Sequence, residues 1–340
     1  MHSSNTYILG IESSCDDTAA AVLCNGKVLS NCIANQEIHK RYGGVVPELA
    51  SRAHQSNMVP VVDQALQTAG IEKKQLHAIA YTQGPGLLGS LLVGSSFAKS
   101  LALGLNIPLI AVNHMQAHLL AAFIEHPKQQ TPKFPFIGVT LSGGHTQIVL
   151  CRDYFDMRVL GETQDDAIGE AFDKCGKILG LPYPAGPVLD TLAQKGNPKA
   201  FTFPLSKMPA LDVSYSGIKT AFLNFINQNS QKKADFIKSH LEDICASLQF
   251  TLIENIFRKI EKAVREYQVK TIVIGGGVSA NSEIRNRLRD QAEQKGWSVH
   301  LPPIEFTTDN AAMIGIVGYL KTKENAYGSM QEVANPRLSF

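Results

Sequence analysis

Short apolar runs that end in small polar residues alternate along the chain with longer stretches whose apolar residues recur at helical spacing. Residues 7–12 have the pattern of a buried strand that ends in a small polar turn, and residues 19–23 that of a second strand, closed by Asn25-Gly26. Helical spacing follows Pro47, and residues 77–105 pass from a strand through a glycine-rich turn into a helix. This alternation predicts an α/β fold with mixed sheets covered by helices.

The strand-turn-strand pattern occurs twice. An offset of 128 residues superimposes the two copies and matches Gly10 to Gly138, Ser14 to Ser142 and Thr18 to Thr146. The second copy is followed by helical patterns around residues 166–180, 216–228 and 234–267, and then by a strand that ends in Gly275-Gly276-Gly277. The sequence therefore predicts an internally repeated β-hairpin.

Two related lobes that face a cleft and contribute glycine turns to it are typical of the actin, sugar-kinase and Hsp70 (ASKHA) superfamily. We expect a first lobe at residues 1–113 and a second lobe, with helical insertions, at residues 114–319. Residues 320–340 are expected to pack back on the first lobe, and the active site is expected in the cleft.

Composition narrows the class of protein. With 340 residues, 44% of them hydrophobic, the chain is long enough for two units. Its 32 basic and 30 acidic residues nearly balance, so a nucleic-acid site would be a local patch such as Arg285, Arg287 and Arg289. Six cysteines without a C-x-x-C pair indicate reduced thiols. We find neither a signal-peptide pattern nor an apolar run of about 20 residues, and expect a cytoplasmic protein without a membrane partner.

Three glycine-rich turns, at residues 82–90, 140–146 and 274–281, could bring backbone N–H groups close to a phosphate. A single glycine-rich turn is best explained as an ordinary tight turn. Three such turns within a repeated strand-turn pattern favour a nucleotide-binding site. None matches the P-loop or the Rossmann fingerprint.

His114 and His118 lie four residues apart in a run of good helix formers, so one helix face could present both to a metal ion. Two buried histidines bonded to the backbone are an equally good explanation of the spacing. Asp309 is the best candidate for a third ligand, although an N-cap is the commoner role for a residue in its position. Met115 stands where a zinc protease of the H-E-x-x-H type has its general base, so that class is excluded.

Nine segments, in order along nearly the whole chain, resemble the bacterial tRNA threonylcarbamoyltransferase family, called TsaD or Gcp. They are GIESSCDDTAAAV, GGVVPELASRAH, TQGPGLLGSLLVG, NHMQAHLLAAF, LSGGHTQIV, DDAIGEAFDKCGKILGLPYPAGP, SYSGIKTAF, GGGVSANSEIR and FTTDNAAMIG. The resemblance implies an ASKHA-type enzyme that transfers the threonylcarbamoyl group from threonylcarbamoyl-adenylate to N6 of the adenosine 3′ of the anticodon, in tRNAs that read ANN codons. The products are N6-threonylcarbamoyladenosine and AMP.

The resemblance also implies roles for individual residues. His114, His118 and Asp309 correspond to ligands of a divalent metal, iron or alternatively zinc. The substrate-binding positions correspond to Thr140, Leu141, Ser142, Gly143, Gly144, Asp173, Gly186, Asp190 and Asn281. On its helical spacing alone, without the resemblance, Asp173 is better explained as a solvated acid on a helix surface. Glu12 and Asp16 are the candidates for a catalytic base, with stabilisation of the turn as the commoner role of such residues. The family usually has Glu at the position of Asp17 and Gly at that of Ala185.

The implied partners are tRNA, a TsaB-like paralogue and a TsaE-like ATPase, together with ATP or ADP binding and a homodimer as further expectations. Two other functions stay open at this point. An ATP-dependent small-molecule kinase of the same fold would explain the repeat and the loops, and would leave the histidines without a role. A non-catalytic nucleotide-binding partner would explain the loops alone.

Overall fold

The computed structural model describes residues 5–127 and 130–340. The strands are β1 (Tyr7–Glu12), β2 (Thr18–Cys24), β3 (Lys27–Ala34), β4 (Ala78–Gly84), β5 (Leu109–Asn113), β6 (Phe136–Leu141), β7 (Thr146–Cys151), β8 (Met157–Glu162), β9 (Thr271–Gly275) and β10 (Ser298–His300). The α-helices are α1 (Pro47–Ala69), α2 (Leu88–Leu105), α3 (His114–Leu120), α4 (Ile168–Ile178), α5 (Ala185–Ala193), α6 (Ser216–Lys232), α7 (Phe236–Tyr267), α8 (Ser282–Lys295) and α9 (Ala311–Lys323). Short 3-10 helices cover Glu37–Tyr42, Lys73–Gln75, Ala121–Phe123, Gly277–Ala280 and Ile304–Phe306.

The chain divides into two compact units. The first unit contains residues 1–131 and 302–340, and the second contains residues 132–301. These bounds differ from the lobes expected from sequence, because residues 114–131 and 302–319 group with the first unit. The physical reason is that α9 packs against β1, β2 and β4 and also contacts α3, which ties both stretches to the first sheet.

Each unit contains a five-stranded sheet, and the two sheets have the same topology. The strand orders are β3-β2-β1-β4-β5 and, in the second unit, β8-β7-β6-β9-β10. In both sheets the first three strands are antiparallel neighbours and the last three are parallel. The hairpin registers also agree, since Ile8 pairs with Leu23 and Phe136, at the same offset of 128, pairs with Cys151. The predicted α/β architecture and the repeated hairpin are confirmed.

In the first unit, helix α9 lies unusually close to strand β1. A Cβ atom added at Gly10 would stand 2.3 Å from the carbonyl oxygen of Ala311, at the start of the helix. Only glycine leaves room for this approach. Because the start of α9 is held against β1, the residues that precede the helix lie near the end of that strand.

The last residues of the chain lie along the parallel edge of the first sheet. Gly328 N donates to Leu109 O at 2.7 Å, and Asn335 N donates to Gln83 O at 2.8 Å. Asn113 Nδ2 donates to Ser339 O at 2.8 Å. The C-terminal segment therefore contacts the ends of β4 and β5.

The second unit has a core built from β6 and β7 and from the inward faces of α4, α6 and α7. The helices predicted around residues 166–180, 216–228 and 234–267 are α4, α6 and α7. Helix α7 bends at His240, where φ is −130°.

Helix α2 is, within the described residues, the one helix whose 18 residues and mean hydropathy of 1.4 would allow it to cross a membrane. Here it packs against α1 and β4. Leu88, Leu92 and Leu103 are exposed on it, with 51%, 49% and 73% of their surface accessible.

Candidate metal centre and ligand-binding loops

His114 and His118 lie on α3, directly after β5. Asn113 caps this helix, because its side-chain oxygen accepts hydrogen bonds from Met115 N at 2.9 Å and Gln116 N at 3.2 Å. The cap starts the helix at His114, so His114 and His118 share one face. Their ring centroids are 4.6 Å apart, and both side chains are buried.

Asp309 faces these histidines and does not cap α9. The cap is its neighbour Asn310, whose side chain accepts from Met313 N at 3.0 Å. Asp309 Oδ1 lies 3.4 Å from His114 Nε2 and 3.2 Å from His118 Nε2. Of the two roles that the sequence left open for Asp309, the geometry therefore favours the metal ligand.

The three side chains fit a divalent metal ion. Their ligand atoms all lie within 4.8 Å of one another. Nitrogen and carboxylate ligands lie about 2.0–2.2 Å from zinc, so neighbouring donor atoms are about 3–3.6 Å apart, and the two distances from Asp309 to the histidines lie in this range. The side chain of His118 is fully buried, its Nδ1 has no hydrogen-bond partner among the described residues, and its Nε2 lies 3.2 Å from Asp309 Oδ1. A metal ion held by His118 Nε2 and Asp309 would take the place of this contact.

Glu12 stands behind His114. Its carboxylate Oε2 lies 3.1 Å from His114 Nδ1 and accepts a hydrogen bond from Thr82 Oγ1 at 2.5 Å. The other oxygen accepts from Ser14 N at 2.5 Å. An Nδ1–H bond to a carboxylate leaves Nε2 as the lone-pair donor, which is the arrangement that outer carboxylates produce at metal sites.

Burial and charge determine the protonation of this group. Burial alone would lower the pKa of His114, but the carboxylates of Glu12 and Asp309 outweigh it and raise the pKa to about 10. Burial opposes ionisation of Asp309 and Glu12, and the neighbouring His114 reverses the effect and lowers both pKa values. Burial lowers the pKa of His118. The lowered pKa of His118 favours the neutral form in which imidazole binds metal, whereas a metal ion would have to displace the additional proton of His114 at neutral pH.

The turn between β1 and β2 is held in place by His54 of α1. Its Nε2 lies 2.9 Å from Cys15 O and its Nδ1 lies 2.8 Å from Thr18 Oγ1. Burial lowers the pKa of His54. Burial, and after it the charges of Asp16, Asp309 and Glu12, raise the pKa of Asp17 to about 7. The proposal that Asp16 or Glu12 is a catalytic base stays a prediction, and the observed contacts of Glu12 are those of a residue that positions His114.

In the second unit, two glycine turns meet at the ends of neighbouring strands. Thr140 and Leu141 end β6, and the Ser142-Gly143-Gly144 turn follows with both glycines exposed. Gly276, with φ of +91°, follows β9 directly, and a Cβ atom there would stand 2.4 Å from Leu141 O. Helix α4 begins beside the first turn, since Gly169 N donates to Ser142 O at 3.2 Å. Thr140 Oγ1 is buried without a partner among the described residues.

The other residues predicted to bind the substrate lie on helix α5 or on the elements that contact it. Asp173 of α4 accepts hydrogen bonds from Ala185 N at 2.7 Å and Gly186 N at 3.3 Å, so it binds the start of α5. Burial raises the pKa of Asp173. This contact differs from the solvated surface acid that its spacing suggested.

Asp190 lies one turn after Gly186 on the same helix. Its two carboxylate oxygens accept from Ser282 Oγ at 2.7 Å and Ser282 N at 2.9 Å. Asn281 caps α8 and accepts from Glu283 N at 3.1 Å and Ile284 N at 3.2 Å. The nine predicted positions therefore form one series of neighbouring elements in the second unit.

The basic residues of α8 have other contacts. Arg287 forms an ion pair with Glu254, and its guanidinium carbon lies 4.6 Å from the ring centroid of Phe257. Arg285 Nε donates to Ser279 O at 3.0 Å. Arg289 is exposed and remains the best candidate of the three for a phosphate contact.

Sequence reasoning missed the residues that orient the ligands. Thr82, Asn113, Asn310, His54 and Ser282 act through hydrogen bonds that only the fold creates. Only the two asparagines carried a signal, because each precedes a helical pattern and is a preferred N-cap residue.

Comparison with known proteins shows the family of the chain. The family described as "tRNA N6-adenosine threonylcarbamoyltransferase" matches residues 27–316. The proteins of that name from Christiangramia forsetii and Riemerella anatipestifer are 59% and 54% identical to this chain, and each alignment covers 98% of both sequences.

Among solved structures, the ROK hexokinase from Thermus thermophilus has a TM-score of 0.50 at 15% identity, over 94% of this chain and 100% of that one. This likeness concerns the fold and confirms the predicted ASKHA class. The sequence matches extend over nearly the full length of both relatives. The chain belongs to the tRNA N6-adenosine threonylcarbamoyltransferase family.

Proposed function

We propose that the protein transfers a threonylcarbamoyl group from threonylcarbamoyl-adenylate to N6 of the adenosine 3′ of the anticodon, in tRNAs that read ANN codons. The observation that carries the proposal is the group His114, His118 and Asp309, with Glu12 behind His114. A kinase of the same fold would leave this group without a role.

The transfer forms one C–N bond and breaks one C–O bond and one N–H bond. The adenosine N6 attacks the carbamoyl carbonyl carbon, the bond from that carbon to the phosphate oxygen breaks, AMP leaves, and the proton of N6 passes to solvent. Because the donor is an activated mixed anhydride, orientation and charge stabilisation contribute more than a strong nucleophile would. We propose that His114, His118 and Asp309 hold one divalent ion, iron or alternatively zinc, which supplies Lewis-acid polarisation of the donor when it is bound.

We assign the adenylate part of the donor to the second unit. The exposed amides of Gly143 and Gly144 can donate to phosphate oxygens, and a Cβ atom at either glycine would meet nothing within 4 Å. The carboxylates of Asp173 and Asp190 can accept hydrogen bonds from ribose or threonyl hydroxyls. Binding of ATP or ADP at the same loops is part of this proposal.

We further propose that the enzyme works in the cytoplasm with tRNA, a TsaB-like paralogue and a TsaE-like ATPase. The exposed leucines of α2, namely Leu88, Leu92 and Leu103, favour a helical partner on this face, because apolar side chains aligned on one helix face gain by being covered. A Leu92→Lys variant should lose co-elution with the paralogue in size-exclusion chromatography. Loss of a homodimer instead would assign the face to a second copy of this chain.

The test of the activity is nucleoside mass spectrometry. Unmodified tRNA is incubated with the protein, its helper proteins and threonylcarbamoyl-adenylate. We expect N6-threonylcarbamoyladenosine from the wild type and none from the His114→Ala/His118→Ala variant. His77→Ala is the matched control, since His77 is an exposed histidine of the same unit that accepts from Tyr7 N. Product from the double variant would refute the role of the metal group.

If the wild type forms no product with verified helpers and donor, the transferase proposal is wrong. Release of ADP with phosphorylation of a sugar or acid would then identify a kinase. An inert protein that still binds its helpers would identify a non-catalytic partner.

A further inference from the structure

The buried amide of Gln249 connects two of the proposed substrate-binding residues. Gln249 lies in the middle of α7, and 4% of its surface is accessible. Its Nε2 donates to Asp190 Oδ1 at 3.1 Å, and its Oε1 accepts from Asn281 Nδ2 at 2.8 Å. One side chain therefore links α5 to the residue that caps α8.

The direction of both hydrogen bonds is fixed by chemistry. Asp190 as a carboxylate only accepts, so Gln249 must present its NH2 group to it. Asn281 uses its side-chain oxygen to cap α8, so it can present only its NH2 group to Gln249. A glutamine amide satisfies both neighbours at once, and it determines which way the Asn281 amide faces.

The bridge leaves both neighbours able to bind a ligand. Asp190 Oδ1 receives Gln249 and Ser282 Oγ, and Oδ2 receives Ser282 N. A carboxylate has about four acceptor positions, so one is left for a ligand hydroxyl. Asn281 uses one N–H on Gln249 and keeps the second.

We propose that Gln249 is a positioning residue for the donor site: it does not touch the donor, and it holds Asp190 and Asn281 in the orientation that binds the nucleotide part. This inference rests on the proposed function, which assigns the nucleotide part to these two residues. Its consequence is that a change at Gln249 weakens donor binding, whereas the reacting groups are unchanged.

Two substitutions separate the two hydrogen bonds. Gln249→Met has nearly the same shape and removes both. Gln249→Glu keeps an acceptor for Asn281 and places a carboxylate against Asp190. Gln249 borders a cavity of about 420 Å³, so these side chains have room to adjust.

The matched control is Asn255→Leu on the same helix. Asn255 is also a buried amide, and it bonds Ser206 N at 3.2 Å and Ser214 O at 3.0 Å, away from Asp190 and Asn281. Its replacement should lower the melting temperature without changing donor affinity. A purely structural role of Gln249 would give the same result for Gln249→Met.

The measurements are calorimetric binding of a non-hydrolysable threonylcarbamoyl-adenylate analogue and steady-state kinetics with the donor itself. We expect Gln249→Met to raise Kd and KM about tenfold, as loss of a hydrogen bond to a charged group does, with kcat within about twofold of the wild type. Gln249→Glu should be weaker still. Gln249→Met added to Asn281→Ala/Asp190→Ala should cause no further loss, because the residues it acts through are absent.

The inference is overturned if Gln249→Met binds the analogue like the wild type while Asp190→Ala and Asn281→Ala do not. It is also overturned if Gln249→Met causes its full loss in the Asn281→Ala/Asp190→Ala background. If Asp190→Ala and Asn281→Ala bind like the wild type, the proposed donor site itself is wrong, and the inference falls with it.

Discussion

Replacement of Glu12 tests whether the buried carboxylate behind His114 controls metal binding. Three donors converge on it: Ser14 N on one oxygen, and Thr82 Oγ1 and His114 Nδ1 on the other. In Glu12→Ala all three lose their acceptor. Removal of an outer partner of a metal ligand typically weakens metal affinity about 10–100-fold, and we expect a loss in this range.

Glu12→Gln keeps the shape of the side chain, and we still expect it to weaken metal binding. A glutamine has one oxygen and one NH2 group, whereas the donors occupy both oxygens of Glu12. If the NH2 group faces Ser14 N, two donors oppose each other. If it faces His114, the imidazole must carry its proton on Nε2, the atom that points to Asp309. Either orientation should weaken metal binding about tenfold.

The assay is competition between the metal-free protein and a chromophoric chelator for Zn²⁺, with circular dichroism to verify folding. Glu254→Gln is the control, because Glu254 is a half-buried, ion-paired carboxylate of the second unit. Thr82→Val removes one donor and should cost less than Glu12→Ala. The reasoning is refuted if both Glu12 variants bind Zn²⁺ within about twofold of the wild type while His118→Ala does not.

Two further predictions concern the second unit. Asp166→Asn should destabilise it by about 1–3 kcal/mol at neutral pH in urea unfolding, because Asp166 bonds Lys174 at 2.7 Å and Lys219 at 2.5 Å. Burial raises the pKa of Asp166, but the two lysines outweigh it and lower this pKa. The contribution of Asp166 to the free energy of unfolding is therefore fully present above the pKa of the unfolded chain, about 3.9, and is lost as the pH falls through the lower pKa of the folded protein. An equal effect of the variant at pH 2 would contradict this. Gly276→Ala should lower the melting temperature more than Gly296→Ala, since both have positive φ and only Gly276 would place its Cβ against a backbone oxygen; equal shifts would show that φ alone decides.

The repeat of the fold was predictable because it appears as patterns of residues that are close in sequence. A β-hairpin pairs residues close in sequence, so the offset of 128 could be found from the alternation of apolar and small residues. The unit boundary was not predictable in this way. Residues 114–131 belong to the first unit because α9, about 190 residues later in the chain, returns to the first sheet and contacts α3, and no local pattern records that return.

The candidate metal centre was predictable only in part, for a similar reason. The spacing of His114 and His118 follows from helix geometry and can be found in the sequence. Asp309 and Asn310 are adjacent and equally good N-cap residues, so the sequence alone could not say which one faces the histidines. Thr82 and Glu12 meet because β1 and β4 are parallel neighbours whose ends coincide. That coincidence depends on pairing across about 70 residues.

The two units share one strand frame and carry different side chains at equivalent positions of it. The offset that superimposes the hairpins places Glu12 at the position of Thr140, near the end of the first strand in each unit. In the first unit this position carries a carboxylate, which orients an imidazole towards Asp309 and favours a cation. In the second unit it carries a hydroxyl followed closely by two exposed glycines, a neutral surface whose N–H groups favour an anion. A carboxylate at Thr140 would repel the phosphate that the second unit is proposed to bind, and a hydroxyl at Glu12 would leave His114 without a charged acceptor. The two units therefore carry different chemistry at equivalent positions of the same strand register.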